Sequence, residues 1–197
     1  MTLLSLDDLV AQVHGRPARA GSTRVVAIDG PAGSGKSTLA ASLATKLDAP
    51  VVHMDDLYPG WDGLAAAAPL LHEWVIEPLA QARPVRFQRY DWSLDTYGDW
   101  LHVPRSDVLV VEGCGCGSRI IAPHLTMLLW VEAPREVRFA RGIERDGVAL
   151  QPLWERWARQ EEDLFAAELT RQRADYRIDG AAPNAGLSSE RHAVLLD

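Results

Sequence analysis

Residues 28–37 read IDGPAGSGKS, and from Gly30 to Ser37 they match the pattern G-x-x-x-x-G-K-[ST] at every fixed position. An apolar run at residues 24–28 precedes the pattern, and a stretch with helical spacing at residues 36–47 follows it. Glycines let such a loop turn its backbone N–H groups inward, and the N-terminus of the following helix adds more of them. The stretch therefore predicts a phosphate-binding loop between a buried strand and a helix.

The two polar residues that end the pattern have distinct predicted tasks. Lys36 places a compact ammonium at the β- and γ-phosphates, and the Ser37 hydroxyl binds Mg²⁺. We therefore expect ATP and Mg²⁺ as cofactors. The predicted nucleotide contacts of the loop are Gly30, Ala32, Gly33, Ser34, Gly35, Lys36, Ser37 and Thr38.

Apolar strands alternate with helical stretches along the rest of the chain, which calls for a parallel sheet covered on both faces. Strands are predicted at residues 49–54, 85–90, 108–111, 125–131, 176–178 and 193–196, and helices at 6–14, 64–82, 134–145 and 153–173. We expect an α/β P-loop NTPase with a doubly wound, five-stranded parallel sheet, helices on both faces and a helical lid. Residues 1–197 read as one domain, with a hairpin insertion near 84–104 and the lid near 138–160.

Composition excludes several classes of protein. The chain has 197 residues and a formal net charge of -7, which argues against a nucleic-acid binder. It has no apolar run of ~18–20 residues and no basic, signal-like start, so neither a membrane span nor secretion is expected. Cys114 and Cys116 are too close for an ordinary disulfide framework. A reduced, cytoplasmic protein fits these observations, and a homo-oligomer stays open.

Acidic residues follow two of the predicted strands. Asp55 and Asp56 come after residues 49–54, and Glu112 comes after residues 108–111. Open α/β sheets place their ligands at the carboxyl ends of the strands, beside the phosphate-binding loop. Phosphoryl transfer needs carboxylates that hold the metal and a base that orients the acceptor hydroxyl. These residues are therefore the candidates for both tasks.

Further motifs follow the loop in a recognisable order. They are MDDLY at residues 54–58, YDW at 90–92, VVEG at 110–113 and R-x-x-R-x-x-x-R-D at 138–146. In order and spacing they resemble the uridine/cytidine kinase family from residue 24 to about residue 179. The loop alone also resembles that of cytidylate kinases.

The resemblance implies roles for individual residues. Asp55 corresponds to the acid that faces the acceptor hydroxyl as base and helps to hold Mg²⁺ with Ser37 and Glu112. Tyr58 lies beside the nucleoside, and Tyr90 and Trp92 clamp its base. The lid arginines are Arg138 on the acceptor, Arg141 in catalysis and Arg145 on the nucleotide.

Three departures from the family pattern accompany this resemblance. Arg89 replaces a proline, and Asp95 stands where pyrimidine-reading members have a histidine. Residues 147–150 replace the usual Arg-Gly of the lid. The second departure removes an expected contact to a pyrimidine, and the third predicts a reshaped lid.

Several conspicuous residues have structural interpretations as well. Among the seven tryptophans, Trp74, Trp130 and Trp154 fit core patterns, whereas Trp61, Trp92 and Trp100 flank loops near the expected acceptor pocket. His53 is either a site residue or an ordinary strand histidine. Cys114 and Cys116 read as small loop fillers, and residues 161–163 as a solvated helix face.

Three functions remain open, beside a fold that has lost catalysis and only binds its ligands. The first is an ATP-dependent kinase that phosphorylates a hydroxyl of a nucleoside-like small molecule. The second is a cytidylate-type nucleoside monophosphate kinase, whose acceptor phosphate Arg86, Arg89 or Arg105 would bind. The third, a nucleotide-binding regulatory ATPase, lacks a placed N-K-x-D motif and an L-S-G-G-Q motif.

Overall fold

The computed structural model describes residues 3–181 and 192–194. The strands of these residues are β1 (Leu3–Ser5), β2 (Arg24–Asp29), β3 (Val51–His53), β4 (Val85–Asp91), β5 (Thr96–Val103), β6 (Val108–Glu112), β7 (Leu125–Glu132), β8 (Tyr176–Asp179) and β9 (His192–Val194). The helices are α1 (Leu6–Gly15), α2 (Lys36–Leu47), α3 (Leu64–Leu71), α4 (Glu77–Ala80), α5 (Arg135–Asp146), α6 (Gln151–Glu168) and α7 (Thr170–Arg173).

The central sheet has five parallel strands in the order β3-β6-β2-β7-β8. Because strand residues alternate between the two faces, each face has its own apolar core. Val26 and Ile28 pack with α1 and α2, whereas Val25 and Ala27 pack with α3 and Trp157 of α6. The predicted doubly wound α/β fold, with helices on both faces, is confirmed.

The strand register brings three carboxyl ends together at one edge of the sheet. Ile28 of β2 and His53 of β3 both lie beside Glu112 of β6. Met54–Asp56 then form one 3₁₀ turn directly after β3. The segments that follow β2, β3 and β6 therefore share one edge, at the switch point where the chain turns to either side of β2.

A separate antiparallel hairpin, β4–β5, lies within the predicted insertion near residues 84–104. Its inner residues Val85 and Phe87 are buried in the core of the α3 face. The turn between the strands begins at Trp92 and ends at Asp95, whose φ is 53°. The hairpin is thus anchored at its base, and its turn reaches the edge that carries the strand ends.

Two predicted helices are interrupted. The helix expected at residues 64–82 widens into a π turn at His72–Ile76 before α4 begins. Pro78 has no backbone N–H to donate, and the Glu77 N–H reaches across the wider turn to the His72 carbonyl. The helix expected at 153–173 starts earlier and ends at Glu168, because Leu169 adopts a left-handed conformation with φ 52°.

The ends of the chain differ from expectation as well. Residues 3–5 form β1, which the sequence analysis did not predict, and β1 pairs antiparallel with β9. β9 covers residues 192–194, so the remainder of the strand expected at 193–196 lies outside the described residues. In the described part of the chain, no helix has both the length and the apolar character needed to span a membrane.

Candidate active site

The loop between β2 and α2 has the backbone that its glycines predict. Gly30 and Gly33 adopt φ values of 139° and 76°, where a side chain would be strained. A Cβ at Gly33 would also lie 2.5 Å from the Arg138 carbonyl oxygen. The loop is therefore packed tightly against the start of α5, and residues other than glycine do not fit there.

The loop borders a cavity of about 700 Å³ at the carboxyl edge of the sheet. The predicted nucleotide contacts that line it are Ala32, Gly33, Gly35, Lys36, Ser37 and Thr38. Gly30 and Ser34 lie behind this surface: a Cβ at Gly30 would meet the Val131 carbonyl, and Ser34 is fully buried. Six of the eight predicted loop residues thus face one space.

Lys36 is buried at the floor of the cavity. Its Nζ donates to the Pro31 carbonyl at 3.0 Å and lies 3.7 Å from Cys114 Sγ. Burial disfavours the ammonium, but the negative charges of Glu161, Glu112 and Asp29 outweigh it and raise the pKa of Lys36. The side chain is therefore a fixed positive charge inside the phosphate-binding loop.

The three predicted metal ligands converge. Ser37 Oγ donates to Glu112 Oε1 at 3.1 Å, and Asp55 lines the same cavity. His53 Nδ1 lies 2.7 Å from the same Glu112 oxygen, and this hydrogen bond raises the pKa of His53. Hydroxyl and carboxylate oxygens suit Mg²⁺, which commonly takes few protein ligands besides substrate phosphates. Among the described residues, no cluster of three His, Cys, Asp or Glu side chains would hold a metal alone.

Asp55 stands at the mouth of the cavity, in the turn after β3. Burial of its carboxyl group raises its pKa, and the negative charge of Glu112 raises it further. The Asp55 carbonyl accepts a hydrogen bond from Trp92 Nε1 at 3.0 Å, which attaches the hairpin turn to this residue. The residue is nevertheless accessible from the cavity, and an accessible carboxylate with a raised pKa suits a general base.

The three arginines of the predicted lid have different surroundings. Arg141 and Arg145 line the cavity, and Arg141 Nη1 also donates to the carbonyls of Gly33 and Gly180. Arg138 does not line it: its guanidinium donates to the carbonyls of Ala32 and Ala133 behind the loop. Arg141 and Arg145 therefore lie at the cavity where the nucleotide and the acceptor are predicted to bind, whereas Arg138 does not.

Aromatic side chains form the opposite wall of the cavity. They are Tyr58, Trp61, Trp92, Trp154 and Trp157. Tyr90 lies behind this wall, where its ring packs edge-on against Trp92 and its hydroxyl donates to Asp95. Of the two residues predicted to clamp a base, Trp92 therefore lines the cavity, and Tyr90 packs behind Trp92 without lining it.

Known structures share this architecture. A structure described as a possible uridine kinase from Bacillus stearothermophilus superposes with a TM-score of 0.65 at 21% identity, covering 87% of this chain and 96% of the other. One provisionally described as a fructose transport system kinase from Silicibacter sp. TM1040 gives 0.58 at 24% identity, covering 88% and 98%. The chain has the P-loop kinase fold. The sequence resemblance stated above is supported at the level of this fold.

A comparison with protein-family profiles gives a match to part of the chain. The family profile described as cytidylate kinase matches residues 26–94, which include the phosphate-binding loop, Asp55 and Trp92. No curated protein sequence matches the chain significantly. The matched region stops before Glu112 and the lid, so it bears on the loop and on the segment up to the hairpin turn.

The sequence-based prediction of the site did not include Trp157 and Glu161. Trp157 lines the cavity, with its ring edge-on to that of Tyr58 at 4.8 Å. Glu161, predicted as part of a solvated face, is instead 3% exposed, and that prediction is wrong. The two lie four residues apart, one turn of α6, and that spacing is the signal in the sequence that both face the same side.

The predictions for Trp154, Trp100 and Cys114 have different outcomes. Trp154, predicted as core, is buried and also lines the cavity, whereas Trp100 lies outside it beneath the Arg86 guanidinium. Cys114 lines the cavity, and its thiol donates to Glu161 at 3.1 Å. Burial raises the pKa of the Cys114 thiol well above its ordinary value, which keeps it protonated at neutral pH.

Proposed function

We propose that the protein is an ATP-dependent kinase that transfers the γ-phosphoryl group to a hydroxyl of a small, nucleoside-like molecule. The observation that carries the proposal is a single cavity bordered by the phosphate-binding loop, by Asp55 and by an aromatic wall. Donor, base and acceptor surface therefore share one cavity, as direct transfer requires. Both cysteines are free and buried, which supports a site of action in the reducing cytoplasm.

The residues divide the reaction among them. Lys36 stabilises charge on the β- and γ-phosphates, and Arg141 and Arg145 cover the phosphates and help to exclude water. Asp55 accepts the proton of the acceptor hydroxyl. The hydroxyl oxygen forms a bond to the γ-phosphorus while the bond between that phosphorus and the β-phosphate oxygen breaks. Mg²⁺, held by Ser37, Glu112 and Asp55, would neutralise phosphate charge when bound. No phosphorylated enzyme intermediate is needed.

The lining of the cavity favours an uncharged acceptor. Tyr58, Trp61 and Trp92 offer flat apolar surfaces, which suit the ring of a nucleoside-like molecule. The arginines considered for an acceptor phosphate lie elsewhere: Arg86 stacks on Trp100, Arg89 lies near Asp99, and Arg105 faces the Ala82 carbonyl. None of these three borders the cavity.

The second candidate is a cytidylate-type monophosphate kinase. The profile match over residues 26–94 favours it, and Arg141 and Arg145 would then divide between the phosphates of donor and acceptor. The regulatory ATPase is the third candidate. It predicts release of ADP that does not depend on any acceptor.

A coupled ADP-release screen tests the proposal, with nucleosides, nucleoside monophosphates, sugars and vitamins as acceptors. We expect release that depends on a nucleoside-like hydroxyl compound. Activity with monophosphates alone would favour the second candidate, and release without any acceptor the third.

Two variants test the assigned roles with the acceptor found by that screen. D55N should lower kcat by ~10²–10⁴-fold while ATP binding is largely kept, because the amide accepts no proton. K36A should abolish turnover. D163N, which removes an exposed carboxylate of α6, is the control and should match the wild type. Wild-type rates in D55N would refute the role of Asp55.

A further inference from the structure

Glu161 is a buried acid to which the proposed chemistry assigns no role. Its Oε1 accepts hydrogen bonds from the Ala32 backbone N–H at 2.6 Å, from Trp157 Nε1 at 2.9 Å and from the Cys114 thiol at 3.1 Å. A buried carboxylate is costly unless such donors or a counter-charge compensate it. This one has three donors from three different segments of the chain.

On the side of the phosphate-binding loop, the contacts close into a ring. The Ala32 N–H donates to Glu161, and the Ala32 carbonyl accepts from Arg138 Nη1 at 3.2 Å. Arg138 Nη1 in turn lies 3.7 Å from Glu161 Oε2. Both polar groups that Ala32 contributes are therefore fixed by one ion pair between α5 and α6. Arg138, which lies behind the loop, thereby shapes the surface that faces the phosphates.

On the acceptor side, the same oxygen orients an aromatic ring. Trp157 borders the cavity, and its indole N–H points to Glu161 rather than to solvent. The ring packs edge-on against Tyr58 at 4.8 Å and Trp61 at 6.1 Å. The orientation of this wall therefore depends on the oxygen that also binds the loop.

We propose that Glu161 is a positioning residue that couples the phosphate-binding loop to the aromatic acceptor wall. This inference rests on the proposed function, since it assigns the two sides of the cavity to donor and acceptor. A change in the loop upon nucleotide binding moves the Ala32 N–H, and through Glu161 it moves the Trp157 ring. Nucleotide binding thereby prepares the wall for the acceptor.

The test compares E161L, E161Q and the wild type. Leucine fills a similar volume but accepts no hydrogen bond, whereas glutamine keeps an acceptor for Ala32 and Trp157 and loses the charge beside Arg138. E162L, at the exposed neighbouring glutamate of α6, is the matched control. Two measurements are made with the Mg²⁺ complex of a non-hydrolysable ATP analogue: its affinity by calorimetry, and the shift of the Trp157 indole N–H resonance that it causes, assigned with W157F.

We expect E161L to bind the analogue about tenfold or more weakly and to lose most of the Trp157 resonance shift, because an unpaired buried N–H is costly. E161Q should lie between E161L and the wild type, and E162L should match the wild type. Affinity and resonance shift of E161L within twofold of wild type would overturn the proposal, as would an effect on only one of them.

The test also covers an E161L variant that does not fold and a failure of the proposed function. Should E161L not fold, E161Q decides it: a loss of about threefold or more in affinity is expected, and wild-type values for both measurements would overturn the inference. Neither readout needs an acceptor. Failure of the proposed function would appear separately, as wild-type protein that releases no ADP with any acceptor.

Discussion

At the scale of single residues, Asp29 holds the phosphate-binding loop in place from beneath the site. Its carboxylate is fully buried at the end of β2 and accepts from the backbone N–H groups of Gly30, Gly115 and Gly117. Those bonds fasten the segment after β6 to the phosphate-binding loop. Burial nevertheless outweighs them and raises the pKa of Asp29 to about 6.

This raised pKa makes stability depend on pH. Between the ordinary value of 3.8 and the folded value of about 6, the folded state binds more protons than the unfolded state, so the contribution of Asp29 grows as pH falls through this window. At neutral pH the charged group costs about 3 kcal/mol. The difference in Tm between the wild type and D29N should therefore move in favour of the wild type from pH 7 to pH 4.

The control for this pH prediction is D163N, because Asp163 is an exposed acid. Its Tm relative to the wild type should stay nearly constant over the same range. A wild-type to D29N difference that is equally constant would contradict the assignment.

The aromatic residues of the hairpin turn give a second prediction at this scale. Trp92 is 41% exposed and lines the cavity, whereas Tyr90 lies behind it. W92A should raise the acceptor KM by about tenfold, because stacking on a base contributes ~1–3 kcal/mol. Y90F removes only the hydroxyl bonded to Asp95 and should change KM less than threefold. Steady-state kinetics decide this, and a larger effect in Y90F would reverse the assignment.

At the scale of elements, the contact between α5 and α6 depends on one small residue. A Cβ at Gly142 of α5 would lie 2.2 Å from a ring carbon of Trp154 on α6. Since Trp154 also lines the cavity, displacement of this ring would alter the site and the helix packing together. The close approach explains why a glycine occupies the middle of a helix, where it is intrinsically unfavourable.

The matching prediction compares two glycine-to-alanine changes. G142A should destabilise the protein by ~1–3 kcal/mol, as overpacking does, and should lower activity as well. G15A, at the end of α1, has nothing within 4 Å of its added methyl group and should leave Tm and activity nearly unchanged. Thermal unfolding of both variants measures the difference, and equal Tm values would count against the tight contact.

Elements also show what could be predicted from sequence. The strand, loop and helix around residues 24–47 were predictable, because apolar runs, glycine spacing and helical periodicity are local signals. Tertiary contacts decide the rest. Glu161 sits among charged residues on a polar stretch, and its partner Ala32 lies 129 positions earlier. The four-residue spacing from Trp157 indicates only that both residues share one side of α6, and the distant partners that bury this acid leave no local pattern.

The end of α6 and the end strands have the same explanation. Leu169 carries no glycine or proline signal, yet its left-handed φ ends α6 so that Thr170 becomes buried. β1 is three residues long and pairs with a strand almost two hundred positions away. Such pairing is a property of the folded chain, so the sequence indicates a strand near β9 but predicts neither β1 nor the pairing.

At the scale of the whole molecule, ligand binding should add directly to stability. With Mg²⁺ present and ATP at about 100 times its Kd, linkage adds ~2.7 kcal/mol. For a chain of this length that corresponds to a rise in Tm of roughly 5–10 °C. K36A should show little of this rise, because it loses the buried charge in the loop. An equal rise in K36A would place the nucleotide elsewhere.

The tryptophans of the aromatic wall allow ligand binding to be followed by intrinsic fluorescence. Four of the seven tryptophans, Trp61, Trp92, Trp154 and Trp157, border one cavity. Their emission therefore responds to whatever enters it: an acceptor that displaces water from the indoles shifts the spectrum to shorter wavelength, and a stacked purine quenches it. Acceptors can thus be screened by intrinsic fluorescence before any turnover is measured.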